Sequence, residues 1–133
     1  MTATASVPTT WRELADAQGL LHDELSRLLD RPTTWELERF LANARRYVRT
    51  ERATLDAAGD QSGRAVADVD AQHSELSDRL NAVMWELPGT AALWAKLFAL
   101  RRALVADIEL VQAVLAAEVG AQGSVVDLPV RAS

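Results

Sequence analysis

TWELERFLANARRYVRTERATLDAAGDQSGRAVADVDAQHSELSDRLNAVMWEL, residues 34–87, decides the fold. Turned at about 100° per residue, its first half lines up Leu37, Phe40, Ala44, Leu55 and Ala58 on one face. Its second half lines up Val66, Val69, Leu76, Leu80, Met84 and Leu87. Between them GDQSG, residues 59–63, is a turn signal. Two amphipathic helices joined by a short turn must run antiparallel. The same pattern recurs on both sides. Trp11, Leu14, Leu21, Leu25, Leu28 and Leu29 form a stripe upstream. Leu93, Leu97, Leu100, Leu104, Ile108, Val111 and Leu115 form one downstream.

Punctuation sets the boundaries. Thr10 and Thr33 each stand three residues before a glutamate, the capping-box spacing. Asp30-Arg31-Pro32 and Pro88-Gly89-Thr90 break the period, Thr90 is an N-cap, and Gly120 reads as a stop. Helices are expected at about 10–30, 34–58, 63–87 and 90–119. The expected fold is an all-α, up-down-up-down antiparallel four-helix bundle over residues 10–119. A flexible N-terminus (1–9) and a loose or surface-docked tail (120–133) flank it.

Composition agrees. Of 133 residues, 24 are Ala and 19 Leu, against 6 Gly and 4 Pro. This favours helix in a single domain long enough to bury a core without staples. No cysteine is present, which excludes disulfides and thiolate metal sites. A net charge of −5 argues against nucleic acid. Lys96 is the only lysine beside 13 arginines, a coding bias of a GC-rich, bacterial genome. The first ten residues do not form a signal peptide, and no apolar run is long enough to span a membrane, so a cytoplasmic protein is expected. There is no phosphate loop and no nucleophile beside a base, so nucleophilic catalysis and nucleotide chemistry find no support, and whether the chain is an enzyme stays open.

The informative residues are polar ones in apolar stripes. Glu51 lies mid-stripe one turn after Tyr47, and His73 lies between Val69 and Leu76. Asp107 flanks the fourth stripe and His22 edges the first. A carboxylate facing a dry core needs a partner or a cation. Glu51 and His73 are equidistant from Ser62, and His73 and Asp107 from Thr90, so the three should share one layer. His22 and Tyr47 are centred between Thr34 and Trp35, which displaces His22 by roughly 5–8 Å along the axis.

LLHDELSRLLD (20–30), YVRTE (47–51), DAQHSEL (70–76) and the long fourth helix together resemble the hemerythrin-like, HHE cation-binding family over about residues 11–119. The resemblance implies a four-helix bundle with a non-haem di-iron centre, linked to oxygen, iron or redox handling. His22, Glu51 and His73 match its ligands. Tyr47 and Asp107 stand at or near histidine positions. Val69 replaces another histidine, and the second bridging carboxylate falls on Val111 or Gln112. The implied metal site is therefore His22, Tyr47, Glu51, His73 and Asp107, thin for two irons and sufficient for one.

A metal-free alternative stands beside it. There Glu51, Tyr47 and His73 form a polar network, and function rests on self-association or a protein partner. Trp11, Trp35, Trp85 and Trp94 lie near helix ends, where they cap the core or mark contacts. Trp94 and Phe98 lie off the fourth stripe and are the candidate homodimer patch. Arg45, Arg49 and Arg52 form a ridge on the outer face of the second helix.

Overall fold

The computed structural model describes residues 10–31, 33–58, 63–86 and 90–132, with side chains described as far as residue 118. The described residues form four helices: α1 (Trp11–Asp30), α2 (Thr34–Ala58), α3 (Gly63–Met84) and α4 (Ala91–Ala132). Their close pairings are α1–α2, α2–α3, α3–α4 and α1–α4, which closes a ring around one core. This is the expected all-α four-helix bundle. Among the described residues no helix is long and apolar enough to cross a membrane.

Threonine starts three of the helices. Thr10 accepts from the Glu13 backbone N–H at 3.1 Å, and the Glu13 carboxylate accepts from the Thr10 backbone N–H at 3.0 Å. This reciprocal box satisfies two of the donors that a helix start leaves free. Thr33 accepts from the Glu36 N–H at 3.1 Å, and Thr90 from the Leu93 N–H at 3.1 Å. Gly63 begins α3 with φ +83°, a left-handed conformation that glycine adopts without a Cβ penalty.

Several boundaries and faces differ from expectation. Helix α3 ends at Met84 instead of residue 87. Pro88 disfavours helical backbone in the residue before it. Leu87 lies outside the described residues. At this end Val83 is 1% exposed and takes the core position expected for Met84. The step from Leu80 is thus three residues, not four, which a 3.6-residue period allows equally. On α4, Val114 is buried where Leu115 was expected, while Ile108 is half-buried. Helix α4 also runs past Gly120, because one interior glycine costs a helix only about 1 kcal/mol. How the chain beyond residue 118 packs, and the flexible segment expected at 1–9, both lie outside the described residues.

The tryptophans do not all cap the core. Trp11 packs against it, but Trp35 and Trp85 are mainly exposed. Trp35 instead carries the Arg39 guanidinium over its ring at 5.4 Å. Trp94 is half-buried beside exposed Phe98, with ring centroids 6.4 Å apart.

The core has two apolar parts. The larger includes Leu14, Leu25, Phe40, Leu80 and Leu97. The smaller comprises Leu55, Val66, Val69, Val111 and Val114. Buried polar residues separate them: Glu51 and Thr54 before Leu55 on α2, His73 after Val69 on α3, and Asp107 before Val111 on α4.

Candidate functional site

Each helix contributes to this polar layer. Helix α2 gives Tyr47 and Glu51, one turn apart on one face. Helix α3 gives His73, helix α4 gives Asp107, and helix α1 gives Gln18. Glu51, Asp107 and Gln18 are fully buried, and Tyr47 and His73 nearly so. The layer argument from turn distances therefore holds for Glu51, His73 and Asp107. Asp107, expected at the flank of its stripe, lies at its centre. The apolar row on α4 shifts to admit it, and Ile108 turns part-way out.

One hydrogen-bonded chain joins the five. His73 Nδ1 lies 2.8 Å from Glu51 Oε1. The Tyr47 hydroxyl lies 2.9 Å from Glu51 Oε2 and 2.9 Å from Asp107 Oδ2. The Gln18 amide nitrogen donates to Asp107 Oδ2 at 2.9 Å.

Counting protons fixes the charge state. Tyr47 has one hydroxyl proton and faces two carboxyl oxygens, so it can donate to only one. The other contact is a hydrogen bond only if that carboxyl carries a proton and donates to the phenol. Asp107 is the group that does so. Burial first, and the neighbouring Glu51 second, push its pKa up to about 9. Burial also raises Glu51, and the hydrogen bonds that Asp107 and Tyr47 offer it pull the other way. Tyr47 is raised by burial and then by the two carboxylates, so it stays a phenol. Burial lowers His73, with Arg52 adding to the effect. The imidazole is thus neutral, and its Nδ1–H donates to Glu51.

Two buried oxygens have no partner among the described residues: Asp107 Oδ1 and Gln18 Oε1. Among the described residues no lysine or arginine pairs with either carboxyl group. The cluster therefore holds more acceptors than donors in a site where each unmet acceptor costs about 1–3 kcal/mol.

His22 is not part of the layer. It is half-buried and forms no hydrogen bond or ion pair with a described residue. The axial displacement noted for it puts it out of reach, and Gln18, one turn earlier, occupies the first-helix position. The signal for Gln18 was in the sequence. It fills the gap between Leu14 and Leu21, and Gln18 and Tyr47 are centred between Pro32 and Thr33, on the break itself.

Val69 and Val111 are fully buried in apolar packing, and Gln112 is exposed. None of the three adds a donor to the layer. Among the described residues no three His, Asp or Glu side chains form a ready-made metal group. The donors that do converge are oxygen-rich and surround two partnerless acceptors, an inventory that one cation would satisfy. Compared with protein-family models, curated proteins and solved structures, the chain matches none.

Proposed function

We propose that this bundle binds a single metal ion in its polar layer, as a divergent hemerythrin-like protein with a reduced site. The observation that carries this reading is the pair of buried acceptors that find no donor among the described residues, Asp107 Oδ1 and Gln18 Oε1, beside two fully buried carboxyl groups. A cation displaces the proton on Asp107 and satisfies the surplus lone pairs. Glu51, Asp107 and Gln18 Oε1 would hold it, with Tyr47 as a further oxygen donor. His73 holds Glu51 in place through Nδ1–H, the role that hydrogen-bonded neighbours play around metal carboxylates. Hard oxygen donors beside an imidazole suit iron or manganese, and iron is the ion that the family resemblance implies. When bound, iron would supply Lewis acidity and redox capacity.

The test is elemental analysis of untagged protein, as purified and after anaerobic reconstitution with ferrous iron or manganese. Near-stoichiometric metal in the native chain, lost in Glu51→Gln, supports the proposal. A ferric form with a tyrosinate charge-transfer band would add Tyr47 to the ligands. Absence of metal after reconstitution overturns it.

One observation favours a metal-free reading. Tyr47, Glu51, His73 and Asp107 already close on one another at 2.8–2.9 Å. In that reading the layer is a proton-sharing network, and function rests on a surface. The candidate surface is the outer face of α4, where Trp94, Phe98 and Val105 follow one another along the helix and the Arg101 guanidinium lies 5.3 Å over Phe98. A homodimer through this face would be lost in Phe98→Glu, as read by light scattering.

A further inference from the structure

Helices α1 and α2 pack less extensively than α3 and α4. A half-open cleft of about 500 Å³ runs between them. Its volume lies in the range of small-molecule sites. From Leu14 to Arg27 it extends roughly 20 Å along α1 at 1.5 Å per residue. The two ends differ. Leu14, Ala17, Leu21 and the Tyr47 ring give one end an apolar floor. Arg27 and Arg39 stand at the other end, and Arg46 stands on the rim between.

The charges are unevenly committed. Glu24 is held by Asn43 at 3.0 Å and by Arg39 at 3.4 Å. Glu13 is engaged in the helix cap. Arg27 and Arg46 form no ion pair or side-chain hydrogen bond with a described residue. The cleft thus presents an apolar floor about two helical turns long, from Leu14 to Leu21, with two guanidiniums beside it that pair with no described residue. An arginine fork matches a carboxylate in shape and charge.

We propose that this cleft binds a medium-chain fatty carboxylate, with the tail along Leu14, Ala17 and Leu21 and the head at Arg27 and Arg46. The assignment is independent of the metal reading. Charge complementarity selects the anion, and the apolar run from Leu14 to Leu21, roughly 10 Å long, takes the linear tail.

The experiment is isothermal titration of the full chain with decanoate, kept below its micelle concentration, with 1-decanol as the uncharged comparator. Decanoate binds at one site, and decanol binds at least about fivefold more weakly, as expected when charge-assisted contacts fix the head. Arg27→Ala/Arg46→Ala alters exposed side chains, leaves the helical circular dichroism unchanged and weakens decanoate by about fivefold or more. Ala17→Phe fills the trough and abolishes binding. Three results would each overturn the proposal. They are no decanoate binding, equal binding of the alcohol, or a double arginine variant within about fivefold of the parent.

Discussion

Asp107→Asn isolates the proton that the buried layer carries. In the folded chain Asp107 holds its proton up to about pH 9, against an ordinary value of 3.8. Between those limits the folded state binds one more proton than the unfolded state, so stability falls as pH rises, by about 1.4 kcal/mol per pH unit. Integrated from 3.8 to neutrality, the cost reaches about 4 kcal/mol at most, since relaxation and the coupled Glu51 absorb part of it. Asparagine has the same shape and no charge to lose. The Gln18 amide nitrogen and the Tyr47 hydroxyl both meet Oδ2, so an asparagine oxygen placed there keeps the Gln18 contact and has no proton to give Tyr47. Set against the roughly 1–3 kcal/mol that the lost contact costs, metal-free Asp107→Asn is more stable than the parent at pH 8 by about 1–3 kcal/mol. Its alkaline limb is also flatter. Urea unfolding followed by circular dichroism at pH 5.5, 7 and 8.5, with chelator present, measures both. If the variant is less stable than the parent at pH 8 and keeps the parent's pH slope, the protonated aspartate is wrong.

Other expectations follow from the same layer and from the fold. Tyr47→Phe deletes the hydroxyl that bridges Glu51 and Asp107 and destabilises by about 1–3 kcal/mol, measured by thermal or urea unfolding. His73 is held neutral by burial, so below its ordinary value of 6.5 the unfolded chain takes up a proton that the folded chain refuses. Below that value this contribution falls as pH drops and opposes the Asp107 slope, so His73→Gln steepens the fall of stability with rising pH there in the same titration. His22→Ala changes stability by only about 0.5 kcal/mol and leaves any metal content intact, because His22 lies outside the layer. Thr10→Ala opens the first capping box and costs about 1 kcal/mol in chemical denaturation.

The fold was legible because apolar periodicity and threonine caps agree along the whole chain. Leu14, Leu25, Phe40 and Leu97 are where a helical period puts them. Counting from the turns also found the layer, since antiparallel neighbours place equidistant residues at one height. The errors came where a stripe does not decide between adjacent positions. Val83 and Met84 are equally compatible with Leu80 by spacing, as are Asp107 and Ile108 with Leu104, and neighbouring helices make the choice. Gln18 was passed over because an uncharged amide in a leucine stripe gives no strong signal. His22 suits a ligand by residue type, while its height on the helix places it away from the layer. The cleft is a property of two helix surfaces at a distance, which no single-chain period encodes.

The polar layer also acts as an alignment key. Leucine and valine rows interlock about equally well after a slide of one turn, roughly 5.4 Å, so greasy packing alone leaves the vertical setting of each rod loosely specified. Here such a slide carries Asp107 or Glu51 opposite aliphatic neighbours and strands a carboxyl group in oil. Only one setting lets all four rods dock their polar rung together. The same groups that weaken the interior thus exclude its misaligned competitors.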